Sequence, residues 1–229
     1  MKKRFIGIII FALVLCLTLA MFVGCSKASD VYDTVKTTKK NNYTLLNESA
    51  DKDQIVLIGD SIVEIFPTEL IQVEGKKVYN RGISGDHSNR MLERLQDNAL
   101  NIAPSTVFIL VGTNDLVLSR SGEEIVDNIT KAVEKCKESG VANVVVSSLL
   151  PVNKNVNSAM VGVRKNSDIV AINEIIKKMC ETQNAVFANT YANVVNSDGE
   201  FDKDLTYDGL HPNAKGYKKI CEVIVPLLK

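Results

Sequence analysis

Four short segments of this sequence carry side chains that can attack, protonate or hydrogen-bond a carbonyl group. They are "GDS" at residues 59–61, "NRGISGD" at 80–86, "VGTND" at 111–115 and "YDGLHPN" at 207–213. The first segment supplies the hydroxyl group of Ser61, and the last supplies His211 together with a carboxylate, Asp208. A histidine that acts as a general base needs such a carboxylate to fix its tautomer. The position of these segments in the fold therefore decides whether they form a site.

Each segment also has a purely structural explanation. Asp60 or Ser61 can cap a helix N-terminus, and the glycines at 82 and 85 can form a tight turn. Asn114 can close an Asx-turn, and His211 can be a surface residue before the last helix. These explanations are weaker in combination, because all four segments fall at the end of a predicted strand or just before a predicted helix.

The rest of the domain alternates between short apolar runs and longer amphipathic ones. The runs that predict strands are "QIVLIG" at 54–59, "KKVYN" at 76–80, "STVFILVG" at 105–112, "ANVVVSSLL" at 142–150 and "NAVFANT" at 184–190. Apolar residues at three- and four-residue steps predict helices over 123–139, 168–182 and 213–228. This alternation predicts an α/β fold with a mostly parallel sheet and helices on both faces. Ligands bind beyond the carboxyl ends of the strands in such sheets, where the "GDS" segment is expected.

The order and wording of the four segments resemble the SGNH hydrolases, also called GDSL-type esterases, whose name comes from a Ser, a Gly, an Asn and a His in four blocks. The match extends from about Ile55 to the end of the chain. The resemblance implies a flavodoxin-like three-layer α/β/α sandwich with a mostly parallel five-stranded sheet. It also implies ester hydrolysis without a metal or another cofactor.

The resemblance also assigns roles to individual residues. Ser61 is the expected nucleophile, His211 the general base and Asp208 the acid that orients the histidine. The backbone N–H groups of Ser61 and Gly85 and the side-chain amide of Asn114 are expected to form the oxyanion hole. These residue types fit acyl transfer, since they provide a nucleophile, a base and donors for a developing negative charge.

The expected substrate is an ester with a short acyl chain, such as an acetyl group on a cell-surface or dietary glycan. A lysophospholipase, a thioesterase-like lipase or an O-acyltransferase could use the same residues. A non-catalytic surface binding protein is a further alternative, but every required residue type is present. Equal numbers of basic and acidic residues, 27 each, argue against a nucleic-acid partner. Five cysteines without a CxxC pair and only two histidines offer little for a zinc site.

The N-terminus has the pattern of an export signal. Lys2, Lys3 and Arg4 precede an uncharged run at residues 5–23. The following Gly24-Cys25 resembles the lipobox of bacterial lipoproteins. We therefore expect a signal peptide at 1–24, a lipidated Cys25 that begins a polar tether at 25–50, and the hydrolase domain at 51–229. An uncleaved transmembrane anchor is the alternative, and both place the domain at the cell surface, attached to the membrane.

Lipidation at Cys25 can be tested directly. Cys25→Ala should abolish fatty-acid labelling and signal cleavage, because the thiol is the expected site of lipid attachment. Metabolic labelling and intact-mass measurement of the membrane fraction check this, with Cys221→Ala as the matched control that should keep both. An intact N-terminus in the wild-type protein would instead support the transmembrane anchor.

Overall fold

The computed structural model describes residue 31 and residues 33–229 of the chain. The expected signal peptide and Cys25 lie outside the described residues. A compact unit runs from Tyr43 to Lys229. This unit therefore begins before the boundary expected at residue 51 and includes the end of the expected tether, of which residues 43–47 are helical. Within this unit, the side chain of Asn47 donates hydrogen bonds to the carbonyl groups of Asp97 and Asn98 at 2.8 and 3.1 Å.

Five parallel strands form one sheet, in the order β2-β1-β3-β4-β5. Their bounds are β1 (Ile55–Gly59), β2 (Val78–Gly82), β3 (Thr106–Leu110), β4 (Asn143–Ser147) and β5 (Val186–Ala188). Every residue of β1 and β3 is buried, as expected for central strands covered on both faces. This strand order is the flavodoxin-like one, and the predicted fold class is confirmed.

Helices cover both faces of the sheet. They are α1 (Ser61–Glu64), α2 (Ser88–Asn98), α3 (Gly122–Glu138), α4 (Ser158–Val161), α5 (Asn166–Thr182) and α6 (Ala214–Ile224). Alternate residues of β1 belong to two separate cores. Val56 and Ile58 pack on the side of α2, α3 and α5, whereas Ile55 and Leu57 pack on the side of α1 and α6. The helices predicted near 123–139, 168–182 and 213–228 are present as α3, α5 and α6, while α2 was not predicted.

Backbone atoms are closely packed at the carboxyl ends of β1 and β2. A Cβ atom at Gly59 would lie 2.0 Å from the carbonyl oxygen of Leu110, the last residue of β3. A Cβ atom at Gly82, the last residue of β2, would lie 2.1 Å from the backbone nitrogen of Glu64 in α1. Only glycine fits such close approaches, so both positions bring the loops at this edge together.

Among the described residues, no helix is both long enough and apolar enough to cross a bilayer.

Candidate active site

Ser61, His211 and Asp208 form a continuous hydrogen-bonded line at the carboxyl edge of the sheet. The Oγ atom of Ser61 lies 2.9 Å from Nε2 of His211, although the two residues are 150 positions apart. On the other side of the ring, Nδ1 of His211 lies 2.8 Å from Oδ2 of Asp208. An ionised carboxylate can only accept, so Nδ1 carries the proton and Nε2 is left to accept from the Ser61 hydroxyl.

A tight turn fixes Asp208 and His211 relative to each other. Oδ1 of Asp208 accepts hydrogen bonds from the backbone N–H groups of His211 at 2.8 Å and Leu210 at 3.0 Å. The Thr206 hydroxyl donates to the His211 carbonyl at 2.8 Å. Partial burial raises the pKa of Asp208, but the hydrogen bonds from His211 and Leu210 outweigh it and leave the pKa below its usual value. Asp208 is therefore ionised and able to hold the histidine ring.

Side chains around α1 fix the position of the turn that carries Ser61. Oδ1 of Asp60, the N-cap residue of α1, accepts from the Ile62 N–H at 2.9 Å. Of the two residues that the sequence offered as a helix cap, Asp60 is the one that caps α1. At the other end of the helix, Nδ2 of Asn80 donates to the Val63 carbonyl at 2.6 Å. The Tyr217 hydroxyl of α6 donates to the Ile62 carbonyl at 2.7 Å, so β2 and α6 both restrain the turn that carries Ser61.

The residues expected to line the oxyanion hole follow neighbouring strands. Ser61 follows β1, Gly85 follows β2 with a φ of 72°, and Asn114 follows β3. Nδ2 of Asn114 donates to the carbonyl oxygen of Asp86 at 2.9 Å, which joins the loops after β2 and β3. Because β1 lies between β2 and β3, the three expected donors share one edge of the sheet.

Two buried arginines contact the loops at this edge, and no sequence pattern predicted them. Nε of Arg94 donates to Asp86 at 2.7 Å, and its Nη2 atom donates to the Gly59 carbonyl at 2.9 Å. Arg164 donates through Nη2 to Oδ1 of Asn114 at 3.2 Å. Isolated arginines in a sequence are usually solvent-exposed, whereas these two are only 3% and 6% exposed.

His87 is not part of the hydrogen-bonded line. Its Nδ1 atom lies 2.7 Å from Oδ1 of Asn89, at the start of α2. Asp115 accepts from the Ser88 backbone N–H at 2.9 Å and from the Ser88 hydroxyl at 2.7 Å. It therefore ties the loop after β3 to α2.

Comparison with known families agrees with this geometry. The sequence model of the GDSL-like lipase/acylhydrolase family matches residues 57–219, which includes Ser61, Asn114 and His211. The chain belongs to the GDSL-like lipase/acylhydrolase family. Its members act on ester bonds.

Relatives of this acylhydrolase include human platelet-activating factor acetylhydrolase IB subunit alpha1. The two are 30% identical over 194 residues, covering 82% of this chain and 80% of the human one. A solved structure described as a platelet activating factor from Streptococcus pneumonia is 25% identical, with a TM-score of 0.84 over 90% of this chain and 99% of that one. An acetyl-xylooligosaccharide esterase from Geobacillus Stearmophilus shares the fold, with a TM-score of 0.62 at 18% identity over 78% of this chain and 95% of that one.

Among its described residues, the acylhydrolase contains no group of three or more His, Cys, Asp or Glu side chains placed to hold a metal ion. Cys136, Cys180 and Cys221 are free thiols. Burial raises the pKa of Cys136 and of Cys180 to about 12, so these thiols behave as small apolar side chains.

Asp60, which directly precedes Ser61, differs electrostatically from Asp208. It is only 1% exposed, and this burial raises the pKa of Asp60 to about 7. The nearby carboxylates of Asp86 and Asp115 raise the pKa further, while the hydrogen bond from Ile62 opposes the shift. Asp60 therefore keeps its proton in the folded acylhydrolase over a pH range in which the unfolded chain has lost it.

The shifted pKa of Asp60 predicts a pH-dependent stability. Between pH 3.8 and about 7 the folded state binds this proton and the unfolded state does not. Raising the pH through that window therefore removes stability from the wild-type protein. Asp60→Asn keeps an oxygen for the Ile62 N–H but cannot ionise. Its unfolding free energy relative to wild type should rise across the window by up to about 1.4 kcal/mol per pH unit.

Denaturant unfolding of both proteins at several pH values measures this difference. Asp127→Asn, at an exposed position of α3 with a side-chain partner in Lys131, serves as the control and should show no comparable rise. Parallel stability curves for wild type and Asp60→Asn would contradict a protonated Asp60.

Proposed function

We propose that this protein is an exported serine esterase that hydrolyses esters of short acyl chains through Ser61, His211 and Asp208. The observation that carries the proposal is the unbroken line from Ser61 Oγ to His211 Nε2 at 2.9 Å and from His211 Nδ1 to Asp208 at 2.8 Å. This arrangement activates a serine hydroxyl for covalent catalysis. Membership of an acylhydrolase family gives the bond type independently.

Acylation begins when the Ser61 hydroxyl attacks the ester carbonyl. His211 accepts the hydroxyl proton at Nε2, and the carboxylate of Asp208 stabilises the resulting imidazolium. The carbonyl oxygen becomes an oxyanion, which the Ser61 and Gly85 N–H groups and the Asn114 amide would bind. Such donors act most strongly on the tetrahedral intermediate, because the charge develops there. His211 then returns the proton to the leaving alcohol.

Deacylation repeats these steps with water as the nucleophile. His211 takes a proton from water, water attacks the acyl group on Ser61, and the serine leaves with that proton. The same base and the same donors serve both halves, so no further titrating group is needed.

The short acyl chain is supported by relatives. The names of the human relative and of the Geobacillus structure both describe the removal of acetyl groups. An acetyl group needs no deep cavity beside the nucleophile, whereas a long acyl chain must be buried to gain binding energy.

We also propose that the enzyme is a lipoprotein anchored through Cys25. This part rests on the sequence of residues 1–25 alone. The molecule that carries the acyl group, and is released as the alcohol, is a glycan, a lipid or another small molecule.

Ser61→Ala should abolish both ester hydrolysis and covalent labelling by a fluorophosphonate probe. Ser61 is the half-buried first residue of α1. The substitution removes one hydroxyl and little packing, so the melting temperature should stay near that of wild type. Ser139→Ala is the matched control. Ser139 is an exposed serine at the end of α3, and its loss should leave labelling unchanged. Labelling that persists in Ser61→Ala would assign the nucleophile to another residue.

The acyl preference can be measured with p-nitrophenyl esters from acetate to palmitate. We expect kcat/KM to be highest for acetate and to fall steadily with chain length, because a site for a short acyl group would leave the apolar surface of a longer chain in water. Assays below the critical micelle concentration prevent substrate aggregation from imitating this trend. A maximum at eight carbons or more would favour the lipase alternative, and transfer to an added alcohol in preference to water would favour the acyltransferase.

A further inference from the structure

The side-chain amide of Asn114 must present nitrogen, not oxygen, if it is to donate to an oxyanion. The two ends of such an amide have nearly the same shape, so the hydrogen-bond partners decide its orientation. The Asp86 carbonyl, which only accepts, lies 2.9 Å from Nδ2. The Arg164 guanidinium, which only donates, lies 3.2 Å from Oδ1. The two partners select the same orientation.

This orientation leaves one donor of Asn114 available. Nδ2 carries two hydrogens, and one of them is directed to the Asp86 carbonyl. The second has no acceptor among the described residues. Asn114 is half-buried, whereas Thr113 and Asp115 on either side of it are buried, so the available hydrogen belongs to the accessible residue of this turn.

Arg164 is itself rigidly held. Its Nε atom donates to the carbonyl and hydroxyl oxygens of Thr113 at 2.9 and 3.0 Å. Its Nη1 atom donates to the carbonyls of Met160 at 3.2 Å and Val161 at 3.1 Å. The planar guanidinium thus spans from the loop after β3 to α4. A lysine has a single ammonium group and cannot reproduce this set of contacts.

We propose that Arg164 is a positioning residue for the oxyanion hole, which fixes the Asn114 amide with its nitrogen toward the reacting carbonyl. The inference rests on the proposed function, because it assumes that Asn114 binds the oxyanion. Arg164 does not touch the substrate. Its positive charge at Oδ1 also polarises the amide, which makes the N–H group at the other end a stronger donor. Both effects act on charge in the transition state, so they change kcat rather than KM.

Arg164 could alternatively be a structural cross-link that tethers α4 and nothing more. A double-mutant cycle separates these roles, since a positioning residue acts only through its partner. Arg164→Lys should lower kcat about 10- to 100-fold, the scale expected for a misplaced catalytic group, with KM little changed. Asn114→Ala should lower kcat roughly 10²- to 10³-fold, the scale for loss of one oxyanion donor. In the Asn114→Ala background, Arg164→Lys should change kcat by less than about twofold.

Asn166→Ala is the matched control for a structural role. The Asn166 side chain also holds the segment between β4 and α5, through two hydrogen bonds to the Val152 backbone at 2.8 and 2.9 Å. It makes no contact with Asn114. This variant should lower the melting temperature and leave kcat near the wild-type value for the folded fraction.

Thr113→Val is the second variant, for use if Arg164→Lys does not fold. It keeps the shape of the buried Thr113 side chain and removes one acceptor of Arg164 Nε, so that the guanidinium is less firmly held. Its kcat should fall in the wild-type background and not in the Asn114→Ala background.

The outcomes are distinct. Equal losses of kcat from Arg164→Lys, or from Thr113→Val, in both backgrounds would overturn the positioning role while the Asn114 role stands. An Asn114→Ala protein with wild-type kcat would overturn the oxyanion assignment and this inference with it. Loss of activity in Asn166→Ala equal to that in Arg164→Lys would mean that any disturbance of this segment suffices, which also contradicts a specific role for Arg164.

Discussion

The site depends on the close approach of backbone at the carboxyl end of β1. Gly59 faces the Leu110 carbonyl of β3 at a distance that leaves no room for a Cβ atom. On the other side, Gly82 of β2 is in equally close contact with Glu64 of α1. The turns after three adjacent strands are thereby compressed into one small area. The proposed nucleophile on the middle turn and the proposed donors on the two outer turns can then contact the same carbonyl group.

Charged side chains complete this edge by donating to backbone carbonyl groups at the ends of the strands. Arg94 donates to carbonyls at the ends of β1 and β2 and pairs with Asp86. Arg164 does the same for Thr113 and for α4. Removing an arginine from water is costly unless its donors are all used. These arginines therefore fix the geometry of the loops more than they stabilise the fold.

The sequence predicted the elements whose patterns arise from apolar burial. Strands β1, β3 and β4 are β-branched runs, and α3, α5 and α6 carry apolar stripes at helical spacing. Helix α2 was missed because its buried face includes Ser88, Arg94 and Asn98 beside Met91 and Leu95, so the stripe is interrupted by polar residues. The four motif segments were found for a different reason, since each is short and local. The partners of those segments, Arg94 and Arg164, come from distant positions, and contacts over such separations leave no pattern in a single sequence.

One segment between β4 and α5 links the two chemical halves of the site. At its start, Asn153 donates from its backbone to the Gly209 carbonyl at 2.8 Å, in the turn that carries Asp208 and His211. A Cβ atom at Gly209 would lie 2.2 Å from the Asn153 carbonyl oxygen, so this contact is close packed. At its end, Arg164 holds Asn114. Both ends are buried, whereas the side chains between them are largely exposed, including Val156, Met160 and Val163 at 37%, 41% and 60%. The ends of the segment therefore hold His211, the proposed base, and Asn114, the proposed oxyanion donor, in register, while the exposed side chains between them take no part in these contacts.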